Sequence, residues 1–454
     1  MKGSLNDVSF SLPPLQEVLA VLSLSSSYNA TIVVVGTTLL GIAAGVVGTF
    51  TILRKRALVG DALAHAALPG LAIAFMLAEG FGFESKSLPT LLLGATLSGI
   101  AGILCIQALT RFTRLNEDAA IGIVLSVFFG VGVVLLSVIQ TMNTGSEGGL
   151  EHFIYGQTAA MNKNDALITF FLAGFSIISA VLLFKEFKLL CFDQEFAGVQ
   201  GWPVTRIDLL MMALVVLVTI IGLQSVGLIL VIALLIIPPS AARFWSDSLK
   251  TITILSGLFG GASGYFGSSI SAILPRMPTG SIIVITAGTI FLVSFLFAPK
   301  RGICSNAIRR LKLKLRVSKD HILRTVYEHL ETNNMNLDEP LKLNKLLSRK
   351  GWTDTQISFG TFLLEKSGLI EQHSSISLLT PEGANQAQRL TRNHRLWEEY
   401  LISYGSLPAC HVDLAADMVE HVLSDDLVES LEEELRRKGT LPPSVHPIQS
   451  IEGT

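Results

Sequence analysis

Between residues 29 and 299 the chain alternates long apolar stretches with short polar breaks. A bilayer-crossing helix needs about 20 mostly apolar residues. Stretches of that kind lie near 29–51, 59–78, 88–109, 119–139, 165–184, 207–223, 225–242, 251–269 and 281–298, which predicts about nine spans. The break at Gln224-Ser225 is the shortest and couples its two helices closely. From Lys300 onward the pattern changes to amphipathic segments dense in charge. "KDHILRTVYEHLE", "LKLNKLLSRKG" and "DTQISFGTFLLEKSGLI" read as three helices. "IEQHSSISLLT" reads as a hairpin, and a further helix opens at Pro381, since proline suits a first helical turn. Three helices and a hairpin are the order of a winged helix-turn-helix. The fold class expected is therefore an all-α polytopic membrane bundle followed by a C-terminal winged-helix domain with a further helical part.

Composition agrees with that division. Half of the residues are apolar and 15% are charged, with a mean hydropathy of +0.55. The net charge of −2 averages two unlike halves and identifies no partner. Basic residues in the loops set the orientation. Arg54, Lys55, Arg56, Arg111, Arg114, Lys185, Lys188, Arg206, Arg243, Lys250, Lys300 and Arg301 fall on one side, against Lys86, Lys163 and Arg276 on the other. This predicts an N-terminus outside and a C-terminal domain in the cytoplasm. Lys2 precedes a polar, proline-containing run, so the spans themselves are expected to direct insertion. "GTTLLGIAAGVVGTF" and "GLFGGASGYFGSS" are rich in small residues, which let helices approach closely in lipid. A compact bundle of this kind conducts or transports. Cys105, Cys191, Cys304 and Cys410 are scattered and build neither a disulfide framework nor a thiolate zinc module.

The chemistry begins at "GDALAHAALPG". Asp61 and His65 stand at i and i+4 on one helical face, inside a segment that reads as membrane-spanning. Carboxylate with imidazole suits Mn(II), Fe(II) or Zn(II), and ionisable groups in lipid usually face a pathway. Pro69 deprives the His65 carbonyl of its helical donor. The alternative is structural: Asp61 caps the helix and His65 is a satisfied interior residue. No HExxH zinc-protease motif occurs, and no GxxxxGK[ST] phosphate loop, so the chain is not expected to hydrolyse ATP. The basic run "RGICSNAIRRLKLKLRVSK" reads as an anchor to anionic lipid.

"RALVGDALAHAALPGLAIAF", "LNEDAAIGIVLSVFFGVGVVL", "FDQEFAGVQG" and "GLILVIALLIIPPSAA", in that order, resemble the permease subunit of the zinc/manganese/iron-type ABC importers. The resemblance covers about residues 29–300 and implies that Asp61 and His65 line the metal pathway. It makes "CFDQEFAGVQGWP" the segment that docks on a separate ATPase, with Phe192, Asp193, Glu195, Phe196, Gly198 and Gly201 as coupling residues. An interfacial helix is the plainer reading of that segment. Glu117 and Asp118 are explained by helix-dipole capping. The implied partners are the ATPase, an extracytoplasmic metal-binding protein and a second copy of the chain.

Residues 318–450 resemble the diphtheria-toxin-repressor type of iron- and manganese-dependent regulator, through "HILRTVYEHLE", "GLIEQHSSISLLTPEGANQAQRLTRNHRLWEEYL" and "DMVEHVLSDDLVESLEEEL". Asp417, Glu420 and His421 share a helical face, as do His394 and Glu398. This mix of carboxylate and imidazole favours Mn(II) or Fe(II) over structural zinc. The resemblance implies a primary metal site of His321, Asp417, Glu420 and His421, and an ancillary site of His394, Glu398 and Asp413. Two positions depart from the pattern: Asp413 replaces a common histidine, and Arg324 stands where manganese-selective members are acidic. The expected recognition helix offers Lys366 against Asp354 and Glu365, thin support for DNA affinity, although Gln356 and Ser358 suit base edges. The expected domains are an N-terminal segment (1–28), the permease (29–300), a basic linker (301–317), a winged-helix region (318–383) and a metal-binding or dimerisation region (384–454). The rival reading is a membrane-tethered metal-dependent transcriptional regulator that no longer transports.

Overall fold

The computed structural model describes residues 14–25, 27–56, 58–81, 88–141, 161–274, 277–336, 341–349, 351–373, 376–405 and 425–443. The chain separates into two compact units, Met1–Asn306 and Ala307–Thr454.

The first unit is helical throughout its described residues. After a short α1 (Leu15–Leu22) come α2 (Tyr28–Leu53), α3 (Val59–Gly80), α4 (Leu88–Phe112), α5 (Glu117–Thr141) and α6 (Lys163–Leu182). The short α7 (Phe184–Phe192) and α8 (Gln194–Val199) precede α9 (Val204–Val226), α10 (Leu228–Ala242), α11 (Leu249–Ile273) and α12 (Thr279–Phe297). A helix thus stands at every stretch where the hydrophobic pattern places a span. Seven of them, among the described residues, are long and apolar enough to cross a membrane. Of the other two, α10 has 15 residues, and α11 has 25 but carries many Gly and Ser. The break between α9 and α10 falls at Gly227 rather than Gln224-Ser225. Its φ of 89° is a left-handed conformation that glycine adopts without a Cβ clash.

Small residues decide the packing. On α11, Gly260 faces Gly41 of α2, and a Cβ on either would overlap the other's carbonyl. Gly45 meets the Ser256 carbonyl and Gly264 meets that of Thr37 in the same way. The polar character of α11 is therefore the cost of backbone-to-backbone contact, not a sign of exposure to water. α3 is gripped similarly: a Cβ on Gly70 would overlap the Gly94 carbonyl of α4, and one on Gly132 of α5 would press on Leu68 and Pro69.

The second unit takes its core from α13 (Ile303–Thr332), α14 (Leu343–Arg349), α15 (Asp354–Lys366), a hairpin and α16 (Pro381–Gly405), with α17 (Asp425–Lys438) beyond. Strands β1 (Ile370–His373) and β2 (Ile376–Leu379) are antiparallel, Ile370 opposite Leu379. Leu323, Tyr327, Leu347, Ile357, Leu364, Ile370 and Leu379 are among the residues that form this core. The stretch expected as a linker is helical and continuous with the first helix of this unit. No glycine or proline interrupts residues 303–332, and Leu, Lys and Arg there are strong helix formers.

Candidate metal centre

Asp61 occupies the first turn of α3, where a carboxylate is favoured by the helix dipole. One turn on, His65 Nε2 lies 3.4 Å from Asp61 Oδ1, and the two side chains are 20% and 32% exposed. The other ring nitrogen, His65 Nδ1, is buried and has no hydrogen-bond partner. The Phe129 ring of α5 meets the imidazole edge-on at 4.8 Å. Leaving a buried polar atom unpaired costs about 1–3 kcal/mol. Ser98 Oγ of α4 donates to the Ala66 carbonyl at 2.6 Å, which fixes this part of α3 beside the proline. No cluster of three or more His, Cys, Asp or Glu able to hold a metal occurs among the described residues. The pair therefore offers two donors, where Zn(II) or Mn(II) takes about four to six.

At the start of α3 lies an ionic node that the sequence reading missed. Asp208 of α9 is 6% exposed. Arg56 Nη1 donates to both of its oxygens at 2.7 and 2.8 Å, Arg54 Nη2 lies 3.3 Å from Oδ1, and Gln107 Nε2 donates to Oδ2 at 3.5 Å. Arg56 also pairs with Glu117 at the start of α5, which gives that carboxylate a partner beyond the helix dipole. Burial disfavours the Arg56 charge, but Asp208 and then Glu117 more than offset it, so the guanidinium is held above its ordinary pKa. The sequence signal was a lone aspartate opening an apolar span in "RIDLLMMALVV".

The node reaches the expected coupling segment. Arg54 Nη1 donates to the Leu190 carbonyl at 3.4 Å and to Gln194 Oε1 at 3.1 Å. Phe187 and Leu190 of α7 are buried, with Phe187 packed edge-on against Phe50 of α2 at 5.3 Å. Asp193 Oδ1 accepts from the Phe196 amide at 2.9 Å and starts α8. Gly201 has a φ of 82°, the left-handed turn out of the segment, while Gly198 and Glu195 are exposed. This leaves Phe192, Phe196, Val199 and Trp202 at 42–87% exposure, an apolar patch in a segment anchored from behind. Burial pushes the Cys191 thiol up to about 11, with Arg54 opposing it.

In the second unit the structure brings together part of the expected set. His394 Nε2 lies 3.3 Å from Glu398 Oε1 on α16. Arg324 of α13 approaches the same ring: its Nη1 lies 2.6 Å from His394 Nδ1, and its Nε lies 3.3 Å from Glu328 Oε1. His394 and Arg324 are both buried, at 4% and 8% exposure. A guanidinium has no acceptor, so it must donate to Nδ1, which leaves the ring proton on Nε2 facing Glu398. The donor set of this pair is thus used, with a cation already beside it, and it does not fit a divalent metal. His321 lies on α13 and is half-buried. Asp413, Asp417, Glu420 and His421 lie outside the described residues. On α15, Gln356 Oε1 accepts from the Thr353 amide at 3.1 Å and Thr353 Oγ1 accepts from the Gln356 amide at 3.4 Å, a capping box that engages one of the two expected base readers.

Comparison with known proteins adds family, sequence and structural matches. Residues 27–298 match the ABC 3 transport family, and residues 380–449 match the iron dependent repressor, metal binding and dimerisation domain. The chain is 39% identical over 380 residues to the manganese transport system membrane protein MntC of Bacillus subtilis, covering 82% of this chain and 84% of that one. It is 41% identical over 296 residues to the zinc transport system membrane protein TroC of Treponema pallidum, covering 65% and 98%. Among solved structures, PsaBC from Streptococcus pneumoniae in complex with Fab aligns with a TM-score of 0.55 at 32% identity, over 66% of this chain and 100% of that one.

Proposed function

The chain belongs to the ABC 3 transport family, and from that premise we propose that it is the membrane permease of a divalent transition-metal importer, with a metalloregulator-like domain behind it. Its relatives named for manganese and zinc transport favour those two metals as cargo. The observation that carries the reading is the buried, unpartnered His65 Nδ1 beside Asp61 on a membrane helix. Metal in transit is the substrate, and Asp61 and His65 bind it transiently. With two donors in one copy, the remaining ligands come from a second copy and from water, so the working unit is a homodimer.

Energy comes from a separate ATPase that docks on the apolar patch of α7 and α8. Phe192 and Phe196 enter the partner, Asp193 and Gly201 set the ends of the coupling turn, and Glu195 and Gly198 lie between them. Motion of that segment is transmitted through Gln194 and Arg54 to Asp208, and through Arg56 to α3. An extracytoplasmic metal-binding protein delivers the metal. The proximity of Arg54, Arg56, Glu117, Asp208 and Leu190 supports placing these loops at one end of the bundle, and the positive-inside rule makes that end cytoplasmic. The cytoplasmic domain then takes regulatory metal, manganese or iron, at His321, Asp417, Glu420 and His421.

The tethered regulator is disfavoured by Gln356, which is engaged in the cap, and by a recognition helix whose only base is Lys366. The test is uptake of radioactive manganese and zinc by cells that also express the ATPase and binding protein. Wild type is compared with Asp61→Asn/His65→Ala and with a truncation after Arg301. We expect uptake to disappear in the double variant and to persist in the truncation. Uptake of neither metal by wild type would put the regulator first.

A further inference from the structure

The second unit carries a feature that neither the transport reading nor the domain match assigns. We propose that Arg324 is a built-in substitute for a metal ion at His394 and Glu398, so that this half of the expected regulatory metal site is permanently occupied by a guanidinium. The inference does not depend on the transport reading.

The donors themselves argue for it. A divalent ion at this pair needs a lone pair from His394 and one from Glu398. Nδ1 already accepts from Arg324 at 2.6 Å, and the Nε2 proton faces Glu398 at 3.3 Å. The cation is also fixed, because an arginine stays charged at any pH the fold survives. Arg324 and His394 are buried, where charges are poorly screened. A dication brought to this ring would face that guanidinium across a few ångströms. Finally, the guanidinium is compensated without metal: Glu398 and Glu328 flank the Arg324–His394 pair at 3.3 Å each. The planar guanidinium joins α13 to α16, a link between two helices that does not wait for metal. Any metal response of this unit must run through groups other than His394 and Glu398.

The test counts manganese bound at equilibrium by the full-length chain in detergent micelles, using Mn2+ alone as the probe. In the otherwise unchanged chain, Glu398→Gln leaves the number of bound ions and their affinity unaltered. Arg324→Glu, which supplies a carboxylate where the guanidinium stood, gains one ion per chain, and adding His394→Ala weakens that new site by about tenfold or more. A Glu398→Gln chain that binds one ion fewer than wild type overturns the proposal. So does an Arg324→Glu chain that keeps its helical circular dichroism and gains no ion. If Arg324→Glu does not fold, the Glu398→Gln comparison in the native arginine background decides alone.

Discussion

Two helices of this chain carry the same local signature, a carboxylate and an imidazole one turn apart. On α3 the Asp61–His65 separation is 3.4 Å, and on α16 the His394–Glu398 separation is 3.3 Å. The local geometry is nearly the same, yet the second ring nitrogen meets opposite fates. His65 Nδ1 is buried and unpartnered beside a phenylalanine edge. His394 Nδ1 is filled by an arginine. On the reading proposed above, the pairing along a helix is not enough, and what the neighbouring helix sends to the far nitrogen decides which pair takes metal.

The same logic explains where cations belong in this molecule. Around Asp208 two half-buried arginines are balanced by Asp208 and Glu117, and the cluster ties the start of α3 to α7 and α8. Asp208→Leu leaves Arg54 without its carboxylate and Arg56 with Glu117 alone, and should destabilise the first unit by about 3–5 kcal/mol, seen as a large fall in thermal midpoint in detergent. Replacing Arg54 and Arg56 by Met in the same chain should restore much of the stability but not uptake, because the link to α7 and α8 is gone. Restored uptake would remove the node from the transport account.

The contrast between the two pairs can be inverted directly. Phe129→Arg would send a guanidinium toward His65, as Arg324 is sent toward His394. An arginine within a span costs about 2.5–3.5 kcal/mol of insertion, so the amount of inserted protein is measured alongside. Per inserted molecule, metal affinity at α3 should fall by about 10- to 100-fold. Unchanged affinity would mean that the open nitrogen is not what binds.

A smaller effect concerns Cys191, between the node and the coupling patch. Burial holds its thiol near 11, so the reactive thiolate is scarce at neutral pH and alkylation should be slow until pH approaches that value. Peptide-level mass spectrometry after maleimide treatment should show Cys191 labelling speed up in the Asp208 variant. Equal rates would mean that the node does not hold this segment closed. The least effect is expected at Asp247. The hydrogen bond from Lys300, and then Arg301, hold its carboxyl below the usual range despite some burial cost. A depressed carboxylate stabilises above its unfolded pKa and loses that contribution only as pH falls through the folded value. Asp247 and its partners are exposed surface groups, so Asp247→Asn should leave melting and uptake unchanged at neutral pH.

What the sequence makes legible follows the range of the interaction. Helix positions come from apolar runs, the Asp61–His65 pair from helical spacing, and the patch of Phe192 and Phe196 from the same rule. These are contacts within a turn or two. The node joins Arg56 to Asp208 across 152 positions, and Arg324 reaches His394 across 70, so no local period announces either. Arg324 stood out in the sequence only as a departure from the manganese-selective members of the regulator type that the C-terminal part resembles, and the fold makes it a contact to His394. Gln356 shows the same limit at short range, because a residue suited to read a base is spent on its own helix cap.

The central claim is that the α3 pair binds transition metal and the α16 pair does not. The most direct measurement is cobalt absorption of the full-length chain, comparing His65→Ala with His394→Ala as cobalt is titrated. The account predicts that His65→Ala removes one component of the ligand-field spectrum and that His394→Ala leaves the spectrum unchanged. A spectrum that survives His65→Ala and loses a component with His394→Ala would contradict it.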